Sequence, residues 1–70
     1  MNFIYRLHAI ERMFERDISE IEVKDAVLNG TTIEEYADDK PYPSFLCLKH
    51  TDNKVIHVVY AVDKDNSFIV

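Results

Sequence analysis

The sequence of 70 residues contains one cysteine, one glycine and two prolines, and it has no long apolar run. The lone Cys47 excludes an intrachain disulfide framework and a cysteine-based zinc site, and it favours a reducing compartment. The N-terminal segment MNFIYRLHAIER lacks the apolar stretch of a signal peptide, and no segment has the length of a membrane span. We therefore expect a cytoplasmic protein without membrane contact.

Repeats, low-complexity tracts and linkers are also missing, so the sequence predicts one domain over residues 1–70. Its 47% hydrophobic content is typical of a folded protein. A chain of this length buries roughly 60% of the surface that its unfolded form exposes, so it often gains stability from a partner. We therefore expect a homodimer or a complex with another protein.

Basic residues are scarce, with 8 lysines and arginines against 13 acidic residues and a net charge of −5. This balance argues against general nucleic-acid binding. The charge is unevenly distributed, because residues 17–39 carry eight acidic side chains against Lys24 alone. The two ends of the chain each carry a small positive excess and can form a locally basic surface.

The first helix is expected over residues 4–16, because apolar side chains recur there at steps of four, three and four. This stripe consists of Phe3, Leu7, Ile10 and Phe14, and Ala9 and Met13 extend it on one side. The opposite face carries His8, Arg12 and Arg16, together with Tyr5. The pattern therefore predicts a helix with its apolar stripe in the core and its cationic face outside.

A second helix is expected after Ser19, which forms a capping box with Glu22. Ile18 before the cap and Val23 inside the helix have the spacing of a hydrophobic staple. The predicted buried face consists of Val23, Ala26 and Val27. Gly30 is expected to end the helix in the left-handed conformation.

After Gly30 the apolar period changes to two, which predicts β-strands. The expected strands cover residues 31–36, 44–50, 55–63 and 67–70. The predicted fold is therefore α+β, with two N-terminal helices packed on a four-stranded antiparallel β-meander in the order α-α-β-β-β-β.

The third of these strands is apolar on both faces. One face carries Ile56, Val58, Tyr60 and Val62, and the other carries Val55, His57, Val59 and Ala61. The helices can cover only one face. The face that holds His57 must be covered by something else or expose a patch that favours a partner.

The segment HAIERMFERDIS, residues 8–19, has the pattern H-A-x-x-R-M-x-x-R-x-I-S. It resembles the opening signature of a widespread family of small prokaryotic proteins described as a domain of unknown function. The resemblance continues through VKDAVLNGTTIEEYADDKPYPSFLCL and IHVVYAVD, so it covers nearly the whole chain.

This resemblance implies a toxin-like protein. Members of the family are often encoded beside small antitoxin-like proteins, and they are placed near the RelE-type toxins, which are compact ribonucleases that cut mRNA. By this analogy the chain is the toxin-like component of a toxin–antitoxin pair, and its partners are a cognate antitoxin-like protein and mRNA. The functional positions implied are His8, Arg12, Arg16 and His57.

These residue types fit metal-independent RNA cleavage. A histidine can accept the proton of the 2′-hydroxyl or protonate the leaving oxygen. The planar guanidinium of arginine can bond two phosphate oxygens at once. His8, Arg12 and Arg16 lie about 6 Å apart along one helical face, and His57 can supply the second proton-transfer group.

Other interpretations of the same residues remain open. The cationic face can be ordinary helix surface, and Arg12 can pair with Glu34 or Glu35. His57 can be a hydrogen-bonded core histidine. A metal site is disfavoured, because the three histidines lack ligand spacing and the arginines beside His8 would repel a cation. The sequence contains no cofactor-binding motif.

The aromatic residues form no RNA-recognition motif, and most of them are expected in the core. The alternative function is a non-enzymatic binding module that docks a partner through its open sheet face or an edge strand. The two functions differ in whether His8, Arg12, Arg16 and His57 converge on one cleft.

Overall fold

The computed structural model describes all 70 residues. In chain order the elements are β1 (Asn2–Tyr5), α1 (Leu7–Glu15), α2 (Glu20–Asn29), β2 (Thr31–Tyr36), β3 (Ser44–His50), β4 (Val55–Asp63) and β5 (Asn66–Ile69). The fold is α+β, with two helices and one five-stranded mixed sheet in the order β1-β5-β4-β3-β2.

The chain begins with a strand, so the prediction of a helix from residue 4 was wrong. Strand β1 pairs in parallel with β5, and the backbone N–H of Asn2 donates to the carbonyl of Asp65 at 2.6 Å. Phe3 and Tyr5 pack against the core from this strand. The pairing satisfies backbone groups and partly buries both rings, and it makes the sheet five-stranded and mixed rather than four-stranded and antiparallel.

Helix α1 packs on the sheet through a different face from the one predicted. Ala9 is 3% exposed and Met13 packs against the core. Leu7 and Phe14, predicted to be buried, are 72% and 89% exposed, and Ile10 is also exposed. Because β1 occupies the residues before the helix, α1 approaches the sheet through the small side chain of Ala9.

This rotation moves the arginines of α1 toward the core. At 100° per residue, Arg16 lies about 20° and Arg12 about 60° from Ala9 around the helix axis. Both side chains are exposed, but they lie at the rim of the helix–sheet interface rather than on the far side of the helix.

Helix α2 begins as predicted. The Ser19 Oγ accepts from the backbone N–H of Glu22 at 3.1 Å, and the Glu22 carboxylate accepts from the backbone N–H of Ser19 at 2.9 Å. Val23 and Ala26 are buried, and Ile18 packs against the same core. The capping box and the buried face of the second helix are therefore confirmed.

Gly30 ends this helix with φ −78°, so the prediction of a left-handed residue was wrong. This position requires glycine because there is no room for a side chain. A Cβ atom there would lie 2.8 Å from the carbonyl oxygen of Leu48 and closer still to that of Ala26. The backbone of α2 therefore passes β3 too closely for any side chain at this residue.

Strands β2, β3 and β4 have the predicted bounds, and β5 begins and ends one residue earlier than predicted. The core between the helices and the sheet consists of Ala9, Val23, Ala26, Cys47, Ile56, Val58 and Ile69. Neither helix is long and apolar enough to cross a membrane.

The other face of the sheet is open, because both helices pack on the side of Ile56 and Val58. Val55 and His57 project to the open side and are exposed. One edge of β4 is open as well. Strand β5 pairs only with residues 60–63, and the N–H of Val70 donates to the carbonyl of Val59, so Val55–Val58 has no partner on that side.

Candidate functional site

Three of the four predicted site residues line one cleft. The cleft, of about 180 Å³, lies between α1 and the unpaired half of β4, and Arg12, Arg16 and His57 are its polar residues. Its remaining lining is apolar and includes Ala9, Met13, Ile18, Val23, Ile56, Val58, Val59, Ile69 and Val70. We call it the arginine cleft. The two guanidinium groups come from α1, and His57 borders the cleft from β4, with its side chain on the open side of the sheet.

No aspartate or glutamate side chain lines the arginine cleft, so its charged side chains are those of Arg12 and Arg16. The chain forms two ion pairs, Lys49–Asp25 at 3.7 Å and Lys54–Glu22 at 3.1 Å. No arginine belongs to either pair. In a protein with 13 acidic residues, Arg12 and Arg16 thus remain free to bind an anion.

The position of Arg12 has a second physical consequence. It lies in the last turn of α1, where a cation interacts favourably with the helix dipole, an effect worth about 0.3–1 kcal/mol. This effect accounts for a positive charge at the end of the helix. It does not require a guanidinium, and it does not place His57 in the same cleft.

His8 lies in a neighbouring cleft of about 420 Å³. Its polar lining consists of Arg6, His8, Asp39, Lys40 and Ser44, and its apolar lining consists of Pro41, Tyr42, Val59, Ala61, Phe68 and Val70. We call it the aromatic cleft. It adjoins the arginine cleft, because Val59 and Val70 line both. The four predicted residues therefore lie in two adjoining clefts rather than in one.

Two aromatic rings and a guanidinium form a stack in the aromatic cleft. The rings of Tyr42 and Phe68 are parallel within 5°, with their centroids 5.6 Å apart. The guanidinium carbon of Arg6 lies 5.4 Å from the centroid of Phe68, which is a cation–π distance. Asp39, the cleft's one acidic side chain, accepts a hydrogen bond from the Ser44 hydroxyl.

The structure decides between several interpretations of single residues. Arg12 does not pair with Glu34 or Glu35, and the Glu34 carboxylate instead accepts from the hydroxyl of Tyr36. His57 is exposed, so it is not a core histidine. The chain contains no group of three His, Cys, Asp or Glu side chains placed to hold a metal ion.

Two further titratable groups lie outside both clefts. Tyr5 was predicted beside His8, but β1 directs it to the core, where its hydroxyl is buried without a hydrogen-bond partner. Burial, and to a lesser extent the Glu20 carboxylate, raises the pKa of Tyr5. Burial also raises the pKa of the Cys47 thiol, as expected for an unreactive cysteine.

The sequence pattern did not reveal Arg6, Lys40, Tyr42 and Phe68 as members of one cleft. Arg6 lies in the junction between β1 and α1, which the pattern assigned to a helix. Lys40 and Tyr42 belong to the loop before β3, and Phe68 was expected in the core. The sheet order β1-β5-β4-β3 brings these distant segments together.

Comparison with other proteins identifies the family of this chain. No curated protein and no solved structure matches the chain. The family model described as "Domain of unknown function (DUF4258)" matches residues 5–70, nearly the entire chain. The two clefts therefore lie within the matched region, and the protein belongs to the DUF4258 family.

Proposed function

We propose that this protein is the toxin-like component of a prokaryotic toxin–antitoxin pair, acting as a metal-independent endoribonuclease on mRNA. The observation that carries the proposal is the arginine cleft. Arg12 and Arg16, both free of ion pairs, line it together with His57, and no aspartate or glutamate side chain opposes them. Two guanidinium groups and an imidazole are residue types that bind a phosphodiester and transfer protons to and from it.

The residues of the two clefts supply the groups that the reaction needs. His57 accepts the proton of a 2′-hydroxyl, whose oxygen attacks the adjacent phosphorus. Arg12 and Arg16 stabilise the charge on the phosphorane. The bond from phosphorus to the 5′-oxygen then breaks, and His8, as the general acid, gives a proton to that oxygen. The products are a 2′,3′-cyclic phosphate and a free 5′-hydroxyl.

The test is growth arrest on expression in a bacterium, followed by RNA cleavage with the purified protein. We expect His57→Ala to lower the cleavage rate by about 10²–10⁴-fold, the range typical of a lost general base. Arg12→Ala and Arg16→Ala should lower both cleavage and RNA binding.

The chain provides matched controls for these variants. His50 is exposed and lines neither cleft, so His50→Ala should cleave like the wild type. Lys24 on α2 also lies outside both clefts, and Lys24→Ala should bind RNA normally. A harmless wild-type protein that cuts no RNA would refute the endoribonuclease proposal.

A non-enzymatic binding module is the second candidate, favoured by the open surfaces of the sheet. The edge of β4 at Val55–Val58 is unpaired, and the exposed Leu7 and Phe14 of α1 lie on the outside of the fold. An unpaired edge can accept a strand from a partner protein. In this case the Arg12 and His57 variants would leave partner binding unchanged, whereas a proline at Val55 or His57 would weaken it.

A further inference from the structure

Most residues that line the aromatic cleft have no role in the proposed reaction. Apart from His8, its chemistry lies in two stacked rings and two cationic side chains. Cytosine, uracil and the purines are flat, and single-stranded nucleic acids bind proteins by stacking such bases on aromatic rings and guanidinium planes. The parallel alignment of Tyr42 and Phe68 presents the geometry of such a stack.

The charges of this cleft also favour a nucleotide. Neither Arg6 nor Lys40 belongs to an ion pair, although the chain as a whole carries a net charge of −5. The one acidic side chain in the cleft, Asp39, is engaged by the Ser44 hydroxyl. Two cations are therefore available beside the stacked rings, as a phosphate next to a stacked base requires.

The position of the cleft relates it to the candidate catalytic residues. It adjoins the arginine cleft through Val59 and Val70, and its volume of about 420 Å³ lies within the range of small-ligand pockets. A single strand whose phosphate lies between Arg12 and Arg16 therefore places a neighbouring nucleotide at the aromatic cleft.

We propose that the aromatic cleft is a binding subsite for a nucleotide of single-stranded RNA. The base extends the existing Tyr42–Phe68 stack from the cleft side, because rings with centroids 5.6 Å apart leave no room for a base between them, and the phosphate binds Arg6 and Lys40. This inference rests on the proposed function, since it assigns RNA to the adjoining arginine cleft. It adds a subsite that holds the nucleotide flanking the cleaved bond.

The test is the binding of a fluorescent 2′-O-methyl RNA hexamer, which lacks a free 2′-hydroxyl and cannot be cut by this chemistry. Fluorescence anisotropy gives its affinity for the wild type and for Tyr42→Leu and Phe68→Leu. We expect each variant to bind roughly 5- to 150-fold more weakly, the range found for the loss of one base–aromatic stack. Tyr36→Leu is the matched control, because Tyr36 is exposed on β2 and lines neither cleft.

A second oligonucleotide separates stacking from structural damage. An abasic strand of the same length and charge has no base to stack, so Tyr42→Leu should bind it as the wild type does. Equal weakening for both oligonucleotides would mean that Tyr42 only packs the open face of the sheet, and the inference would be wrong.

A separate variant tests the cationic half of the subsite. Its result does not depend on whether the aromatic variants fold. Lys40 is exposed, and Lys40→Gln should lower the slope of log K against log salt by about 0.7, the value for one lost phosphate contact on a single strand. An unchanged slope would count against the assignment. Lys24→Gln is the control and should leave the slope unchanged.

Failure of this inference is distinguishable from failure of the proposed function. If Arg12→Ala and His57→Ala abolish cleavage while Tyr42→Leu and Lys40→Gln bind the hexamer normally, the subsite is wrong and the proposed reaction stands. If the wild type cuts no RNA but its affinity depends on Tyr42, the subsite stands and the protein is a single-strand binder.

Discussion

At Gly30 two backbone carbonyl oxygens occupy the space where a side chain would begin. We expect Gly30→Ala to lower the free energy of unfolding by about 1–3 kcal/mol, because the added methyl group forces α2 away from β3. Urea denaturation followed by circular dichroism measures the change. Leu28→Ala, at a side chain that is 61% exposed in the same helix, should change stability by no more than about 0.5 kcal/mol. Equal stability of Gly30→Ala and the wild type would show that the helix end can shift freely.

Glu22 makes the stability of α2 depend on pH. Its pKa is lowered first by the hydrogen bond from the Ser19 backbone and then by Lys54. Because the folded-state pKa lies below the unfolded-state value, the ionised carboxylate stabilises the fold at neutral pH. This contribution is present above pH 4.5 and is lost as the pH falls through the lower folded-state pKa.

The corresponding variant is Glu22→Gln, which keeps the capping hydrogen bond but loses the charge. We expect its deficit in the free energy of unfolding, relative to the wild type, to be largest at pH 7 and to shrink toward pH 3. Urea unfolding at both pH values measures it, with the exposed Glu11→Gln as a control. A deficit that stays constant down to pH 3 would exclude a role for the charge.

The residue types of the site could be predicted from the sequence, but their arrangement could not. The four-residue spacing of His8, Arg12 and Arg16 places them on one side of a helix, and Arg12 and Arg16 do line a common cleft. His57 lines the same cleft from β4, whose bounds and alternation were predicted, but that alternation directs its side chain to the open face of the sheet. The separation of His8 from this group follows from the junction between β1 and α1, for which the local pattern holds no signal.

At the scale of elements, α1 is held by few contacts and leaves a large apolar surface outside. Only Ala9 of this helix is fully buried, whereas Leu7, Ile10 and Phe14 are exposed. We expect the isolated protein to self-associate through this stripe at high concentration. Sedimentation velocity of the wild type and of Phe14→Ser measures the association.

Phe14→Ser should weaken self-association without loss of stability beyond about 0.5 kcal/mol, since the ring is 89% exposed. Glu15→Ser is the control, because it introduces the same residue at the next position of the helix without removing an apolar side chain, and it should leave self-association unchanged. A wild-type protein that remains monomeric at high concentration would contradict self-association, and the stripe would then be available for a different protein.

The elements differ in how strongly local sequence determines them. The capping box, the period of two after Gly30 and the alternation in β4 are short-range signals, and the elements they mark were predicted. The strand Asn2–Tyr5 is stabilised by pairing with Asn66–Ile69, more than 60 residues away. Its apolar residues also fit the start of a helix, so the local pattern favoured the wrong element.

For the molecule as a whole, the two clefts give an acidic protein a basic surface. If Arg6, Arg12, Arg16 and Lys40 contact four phosphates of a single strand, the slope of log K against log salt should be about −3. Anisotropy titrations at pH 8 across a range of salt concentrations measure it. A slope near zero would mean that these side chains do not contact phosphates.

The parallel pairing of β1 with β5 sets the time at which this surface appears during protein synthesis. The aromatic cleft needs Arg6 and Phe68, and the arginine cleft needs Ile69, so both require β5 in place beside β1. A growing chain holds its first strand without a parallel neighbour until the ribosome has released residues 66–69. Neither cleft is therefore complete until β5 has emerged and paired with β1.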